Sequence, residues 1–347
     1  MSSTSEIEFL AAGSIVRSFL GDAAIAEVVP VTGGFSGANV FRVSTSEGEF
    51  SLRTSSTQAE PFPRTLERSR FLRHLSEHGI PVAVPRTPLH SSEPYLIRES
   101  LIWQLEPWLP GRACTSDELN DDRLIRLMQC LAAKHSIAAT YCPTPLGKDW
   151  FECRQGPCPA VQDRLRIIES FSPSEISQLK ESLVTAPEGF RELSERVLAS
   201  YHRCAAIVHS ELQTWREVAL PLHPCWRDLW SEHVLFSGDE VTGWIDPVAC
   251  RTDHPATDLS RLLGSLFADD FSRWDTALGS YAGVASLQRR DRQLVHTLDR
   301  SSVLLSGMNW INRYHQGAIP PDEFPAVEKR LEQIATRIER LEPRSLR

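Results

Sequence analysis

The sequence predicts an α+β protein in two lobes, a small antiparallel sheet lobe followed by a larger, mainly helical lobe. Two observations predict this. Runs rich in β-branched and aromatic residues, punctuated by glycine turns, are concentrated in the first 106 residues. From residue 112 onward, apolar residues fall mostly at helical spacing. Between them, Pro107-Trp108-Leu109-Pro110-Gly111 breaks both periodicities and reads as a linker, so the expected division is 1–106, 107–111 and 112–347.

In the first lobe, strands are expected over Ile25–Val31, Val40–Ser44 and Glu49–Thr54. Gly33-Gly34-Phe35-Ser36-Gly37 separates the first two, and Ser46-Glu47-Gly48 is a hairpin turn joining the next two. Helical spacing then places Leu66, Phe71, Leu72 and Leu75 on one face of a helix over Arg64–His78, which Gly79 stops. Two further strands, Tyr95–Ile97 and Ile102–Glu106, complete a lobe of five strands and one helix. In the second lobe, Leu124, Leu127, Met128, Leu131 and His135 line one face of a helix over Asp122–Thr140, where His135 reads as structural. Residues 142–160 read as a loop rich in Pro, Gly and Cys, with helices around 174–186, 188–216, 256–268, 286–305 and 325–341. In the last helix Val327, Leu331, Ile334, Ile338 and Leu341 alternate gaps of four and three, which reads as a packing face.

A length of 347 residues with 41% hydrophobic and 24% charged residues describes a packed globular chain. The net charge of -8, from 37 Lys+Arg against 45 Asp+Glu, lacks the basic footprint of a protein that binds nucleic acid or an anionic membrane. An anionic ligand must therefore find a local cluster of donors. No stretch approaches the roughly 18 apolar residues of a membrane span, and the first residues show no signal-peptide pattern, so the expected location is cytoplasmic. The eight cysteines are too sparse for a disulfide scaffold. Cys153 and Cys158 lack the second pair that a zinc site requires.

The chemistry concentrates between residues 222 and 246. Val234–Phe236 and Val241–Ile245 read as two short strands joined by a turn, which sets His233 and Asp246 at the outer ends of one hairpin. Asp228 lies on the loop just before it, so two carboxylates and an imidazole are expected at one hairpin mouth. Such a group suits a divalent cation plus a base. The residues alone also admit a metallohydrolase cluster of Asp228, His233, Asp246, Asp253 and His254, a reading that leaves the glycine-bearing lobe without a role.

The spacing of Asp228, His233 and Asp246, with Arg227-Asp228-Leu229 before them, resembles the catalytic loop and metal-binding aspartate of the aminoglycoside phosphotransferase and choline kinase family. The resemblance runs over nearly the whole chain. It implies a two-lobed, protein-kinase-like fold and an ATP-dependent phosphotransferase acting on a hydroxyl of a small molecule, with ATP and Mg2+ as cofactors. Gly33, Gly34, Ser36 and Gly37 resemble the loop that positions the nucleotide phosphates, and Arg53 falls where the family has its phosphate-contacting Lys. Glu67, which shares the inward face of Phe71 and Leu75, needs a cationic partner, and Arg53 is the expected one. Glu106-Pro107-Trp108 resembles the hinge that holds the base. By the same resemblance Asp228 is the catalytic residue, Asp246 and His233 are the metal ligands, and Asp258 in Asp258-Leu259-Ser260-Arg261-Leu262-Leu263 braces the catalytic loop. His233 stands where the family has Asn, and imidazole favours softer metals than Mg2+, which brings Mn2+ into consideration. With Arg53 in place of Lys, these departures keep a non-catalytic nucleotide- or ligand-binding relative as the alternative.

Overall fold

The computed structural model describes residues 3–31, 39–58 and 60–341, with backbone only over 3–11. The first elements are α1 (Ser3–Leu20), β1 (Ile25–Pro30), β2 (Val40–Thr45), β3 (Gly48–Ser56), α2 (Phe62–Glu77), β4 (Leu96–Arg98) and β5 (Leu101–Pro107). They are followed by β6 (Arg112–Ala113), α3 (Asp121–Ala138), α4 (Lys148–Phe151), β7 (Arg154–Gly156), α5 (Pro159–Ser170), α6 (Pro173–Ser182), α7 (Glu188–Gln213) and β8 (Leu220–Cys225). The chain ends with β9 (Val234–Ser237), β10 (Glu240–Trp244), β11 (Arg251–Asp253), α8 (Ala256–Phe267), α9 (Phe271–Ala282), α10 (Arg289–His315) and α11 (Phe324–Arg340).

The expected strands of the first lobe are present as an antiparallel sheet in the order β1-β2-β3-β5-β4. Alternation along these strands decides what each face does. Phe41, Val43, Phe50, Leu52, Trp103 and Leu105 point to one face, where they form a core with Ile15, Val16 and Phe19 of α1. That helix is an addition to the sequence reading. It supplies the apolar cover without which the sheet would expose this face to water.

Packing divides the chain into two compact units. One compact unit comprises residues 1–153 and 231–251, the other 154–230 and 252–347. The physical reason is that α3 and the β9–β10 hairpin are fastened to the sheet unit. His74 of α2 bonds the Ile137 carbonyl of α3 at 3.2 Å, and the Lys134 ammonium of α3 lies 4.7 Å from the Trp244 ring centre. The Trp244 amide donates to the Pro81 carbonyl at 2.8 Å.

The second unit holds α5 to α11 and a small sheet in the order β11-β8-β7. Two of its helices, α5 and α9, and all three strands of this sheet are additions to the sequence reading. Pro159 begins α5 at a position where its missing N–H costs nothing, so the proline that reads as loop is a helix start. β8 contains Pro221 and Pro224, which argue against a strand, but its neighbours β7 and β11 are three residues each and ask few ladder bonds of it. The stripe in α11 is a packing face as expected: Val327, Leu331 and Ile338 are fully buried within the unit, which packs α11 on α7 and α10, while Ile334 and Leu341 are half-buried and Ala335 joins the buried set. All eight cysteines are free thiols. Among the described residues no helix is long and apolar enough to cross a membrane.

Candidate active site

The other face of the five-stranded sheet is polar. The register sets Val29 beside Arg42, Arg42 beside Ser51 and Ser51 beside Glu106, while Arg53 sits between Val40 and Gln104. Two charged groups of this face are largely withdrawn from water: Glu106 is buried and the Arg53 side chain is 15% exposed. Burial pushes the Glu106 carboxyl up, against the pull of the Arg53 and Arg68 guanidiniums. Burial works against the Arg53 charge, but Glu106 and Asp246 outweigh it and strengthen the guanidinium's hold on its proton. Gln104 is also buried, and its Nε2 has no hydrogen-bond partner among the described residues. At the rim of the face, the Arg42 guanidinium lies 4.9 Å from the Trp108 ring centre and bonds Glu49 at 2.8 Å. A groove of about 510 Å³ runs there between Glu27, Val29, Arg42, Ser44, Glu49 and Trp108.

The β9–β10 hairpin brings its two ends together as the sequence predicts. The Ile245 amide donates to the His233 carbonyl at 3.0 Å. Asp246 follows with φ +56°, a left-handed conformation that is uncommon for a residue other than glycine. This turn aims its carboxylate at Arg53, whose Nη2 donates to Oδ1 at 2.7 Å. His233 Nε2 stands 3.7 Å from the other oxygen, Oδ2. Burial would raise the Asp246 carboxyl, but Arg53, with lesser help from His233 and Arg68, holds it below the usual carboxylate range. The residues after Asp246 are fixed in turn, since Arg64 of α2 donates to the Val248 carbonyl at 3.0 Å.

The expected Arg53–Glu67 pair is not formed. Glu67 does face inward and is 1% exposed, but α2 turns it toward the segment after α3. There it accepts from the Tyr141 hydroxyl at 2.7 Å, the Thr144 hydroxyl at 2.6 Å and the Thr144 amide at 2.9 Å. Gly147 completes this seat, because a Cβ there would lie 2.2 Å from the Glu67 side chain. The acid that the sequence reading missed is Glu60, just before α2. It is buried, accepts a hydrogen bond from Arg68 at 2.5 Å, forms an ion pair with Arg64 at 3.2 Å, and contributes to the field at Arg53. No periodicity marks a residue ahead of a helix start, so Glu60 carried no sequence signal, whereas Arg68, four residues before Leu72, stood at helical spacing on the buried face of α2.

The second unit holds Asp228. Its loop follows β8 and is pinned by Asp258 of α8, fully buried, which accepts from the amides of Trp226 at 2.9 Å and Arg227 at 2.6 Å. Arg227 has φ +65°, and its guanidinium is clamped by Asp163 at 2.6 Å and Asp253 at 2.7 Å. Asp228 itself is 46% exposed in its side chain. Its Oδ1 accepts from Trp230 Nε1 at 2.8 Å and from Arg261 at 2.8 and 3.2 Å. The metallohydrolase reading loses two of its ligands here. Asp253 is fully buried and committed to Arg227, the Cys158 thiol and the Ala160 and His254 amides. His254 is buried, with its Nδ1 accepting from the Ala256 amide at 3.2 Å and its Nε2 facing Asp291 at 3.8 Å.

Of the residues expected at a site, Arg53, Glu106 and Trp108 thus belong to the polar sheet face or its rim, and His233 and Asp246 to the hairpin of the same unit. Glu67 serves the 141–147 segment, and Asp228 lies in the other unit. Gly33, Gly34, Ser36 and Gly37 fall outside the described residues.

The sequence profile of the phosphotransferase enzyme family (APH) matches residues 27–294. A comparison with curated proteins finds no match. Among solved structures, the chain is similar to an amicoumacin kinase, hAmiN, in complex with AMP-PNP, Ca2+ and Ami. The identity is 14% over 99% of this chain and 98% of that one, with a TM-score of 0.68. Spectinomycin phosphotransferase APH(9)-Ia, in complex with ADP and spectinomycin, gives 14% identity, 98% and 99% coverage and a TM-score of 0.58. A choline/ethanolamine kinase family protein from Mesorhizobium loti gives 16% identity, 98% and 95% coverage and a TM-score of 0.57. At such identities the likeness carries the fold, and it is the kinase-like fold expected from the sequence.

Proposed function

The chain belongs to the phosphotransferase enzyme family, and from that membership we propose that it transfers the γ-phosphate of ATP to a hydroxyl of a small molecule. The observation that carries this reading is the contact of Arg53 with Asp246, 2.7 Å apart on the one polar face of a sheet whose other face is core.

That face fits a nucleotide with a divalent ion. Arg53 and the Nε2 of Gln104, which has no partner among the described residues, are donors suited to phosphate or base oxygens, and the groove beside Trp108 supplies space. Asp246 supplies hard carboxylate oxygens suited to Mg2+ or Mn2+, and the imidazole nitrogen of His233 favours Mn2+ of the two. When bound, the ion would neutralise charge on the phosphates during transfer. In this assignment Arg53 turns from Asp246 toward a phosphate oxygen, Glu106 and Trp108 border the base, and Gly33, Gly34, Ser36 and Gly37 are assigned to the phosphates. Asp228 accepts the acceptor hydroxyl's hydrogen and so orients its oxygen for attack. Positioning and charge stabilisation do most of the work of phosphoryl transfer, and no covalent intermediate on the protein is needed.

The test is a screen of hydroxyl acceptors, covering aminoglycosides, choline-like alcohols, hydroxyl amino acids and sugars. ATP is supplied with Mg2+ or Mn2+, and ADP release is scored above the rate without acceptor. Asp228→Asn is expected to lower transfer by about 10²- to 10⁴-fold. Full turnover in that variant would remove Asp228 from its role. Saturable ATP binding with no transfer under either metal would overturn the enzyme reading in favour of a binding protein.

A further inference from the structure

We propose that Trp230 and Arg261 are positioning residues for Asp228, together fixing the rotation of its carboxylate for phosphoryl transfer. The inference rests on the reading of Asp228 as the group that orients the acceptor hydroxyl.

Three contacts support it, all within one unit. The indole N–H of Trp230 and the guanidinium of Arg261 both donate to the same atom, Asp228 Oδ1, at 2.8 Å each, with a second Arg261 contact at 3.2 Å. Two donors converging on one oxygen from different directions define how the carboxylate is turned, which one donor or a diffuse charge would not do. The indole is itself held. Arg261 lies 4.1 Å from the Trp230 ring centre on α8, and Arg330 lies 4.2 Å from it on α11, so guanidinium groups from two helices stack on the ring. The backbone just before Asp228 is already fixed by Asp258, one turn before Arg261 on α8. One face of α8 therefore holds both the backbone before Asp228 and its side chain. A carboxylate with a side chain 46% exposed would otherwise sample several rotamers in water. Misplacement of a reacting group by about 1 Å costs on the order of 10²-fold in rate, so this restraint bears on turnover.

The test uses the full chain with MgATP as substrate and water as acceptor, read as ADP release. Trp230→Phe keeps a ring between the two guanidiniums and removes only the N–H donor. It is expected to lower kcat about tenfold while KM for MgATP stays within about twofold, because the donor acts on the carboxylate and not on the nucleotide. Arg261→Ala is expected to lower kcat further, and Arg261→Lys to restore part of the loss. In an Asp228→Asn background, Trp230→Phe should add nothing, since both act through one carboxylate. Wild-type kcat in Trp230→Phe would overturn the proposal, as would an equal loss in both backgrounds, which is the signature of damage to the fold. Full activity of Asp228→Asn alone is a separate result and would overturn the role of Asp228. A readout independent of turnover is the indole N–H resonance of Trp230, identified by its loss in Trp230→Phe. It should shift in Asp228→Ala, and an unmoved resonance would overturn the contact itself.

Discussion

Asp246 and Asp228 are each held by an arginine beside a left-handed backbone turn, yet the turn falls on different residues. In the sheet unit the carboxylate itself carries the positive φ, and its direction is set by Arg53 within a chain of alternating charges that runs on to Glu106, Arg68 and Glu60. In the other unit the positive φ falls on Arg227, whose guanidinium and backbone are clamped by three acids, and Asp228 is oriented by side-chain donors of its own. Orientation by charge can be exchanged when a ligand brings charge of its own, whereas orientation by a pinned loop persists with or without ligand. The first arrangement suits a group that must change partners, the second a group that must keep its place.

The comparison can be broken most directly at Asp258. Asp258→Ala removes the acceptor of two amide groups at a fully buried position and is expected to cost about 3–5 kcal/mol of unfolding free energy in chemical denaturation. A loss below about 1 kcal/mol would mean that the loop is not pinned there. Next in size, Arg53→Met strands Glu106 and Asp246 and should cost about 3 kcal/mol, moderated by the 33% exposure of Asp246, while Arg53→Lys recovers part of it. If Arg53→Met were as stable as the native chain, the alternating chain would not be carrying charge balance.

Glu67→Ala and Gly147→Ala should each cost about 2 kcal/mol, the first by orphaning Tyr141 and Thr144, the second by driving a methyl into the Glu67 side chain. The double variant should cost less than the sum, because removing the carboxylate makes room for the methyl. Additive losses would show that the two do not meet.

The smallest net effect concerns acid. The His254 imidazole, lowered by burial to about 4, takes up its proton later than it would unfolded, so its contribution to stability falls as pH drops from about 6.5 to 4. Asp299, raised by burial to about 6 despite Arg337, binds its proton earlier than it would unfolded and gains stability as pH drops from about 6. Each amounts to roughly 3 kcal/mol in opposite directions, so the pair nearly cancels across that window. Asp299→Asn removes the compensation, and denaturation between pH 7 and 4 should then show a steeper acid loss than the native chain. Parallel slopes would refute the offset.

How much of this was legible in the sequence depends on range. Runs rich in β-branched and aromatic residues exposed β2, β3 and β5, whereas the face shared by Arg53 and Glu106 follows from the pairing register, which no local pattern records. The hairpin after Asp228 was readable for the same local reason. The Arg53–Asp246 contact spans 193 positions and could come only from a resemblance, not from spacing. Helical spacing correctly turned Glu67 inward, but inwardness does not name the partner, and the partner was Tyr141 on a segment read as loop. Trp230 lay two residues from Asp228 in plain view. Its role depends on where α8 brings Arg261, which no local pattern records.

The two-faced sheet has one more consequence. Because Leu52 belongs to the core and Arg53 to the polar face, the central strands carry something like a reading frame of two. Substitutions on the polar parity can retune what the face meets while the apolar parity under α1 stays as it is. An insertion or deletion of one residue between Phe50 and Arg53 would exchange the two sets at once, sending the guanidinium into the core and Leu52 out of it. Relatives of this chain should therefore drift in β3 by replacement and keep its length, with gains and losses of residues confined to the turns.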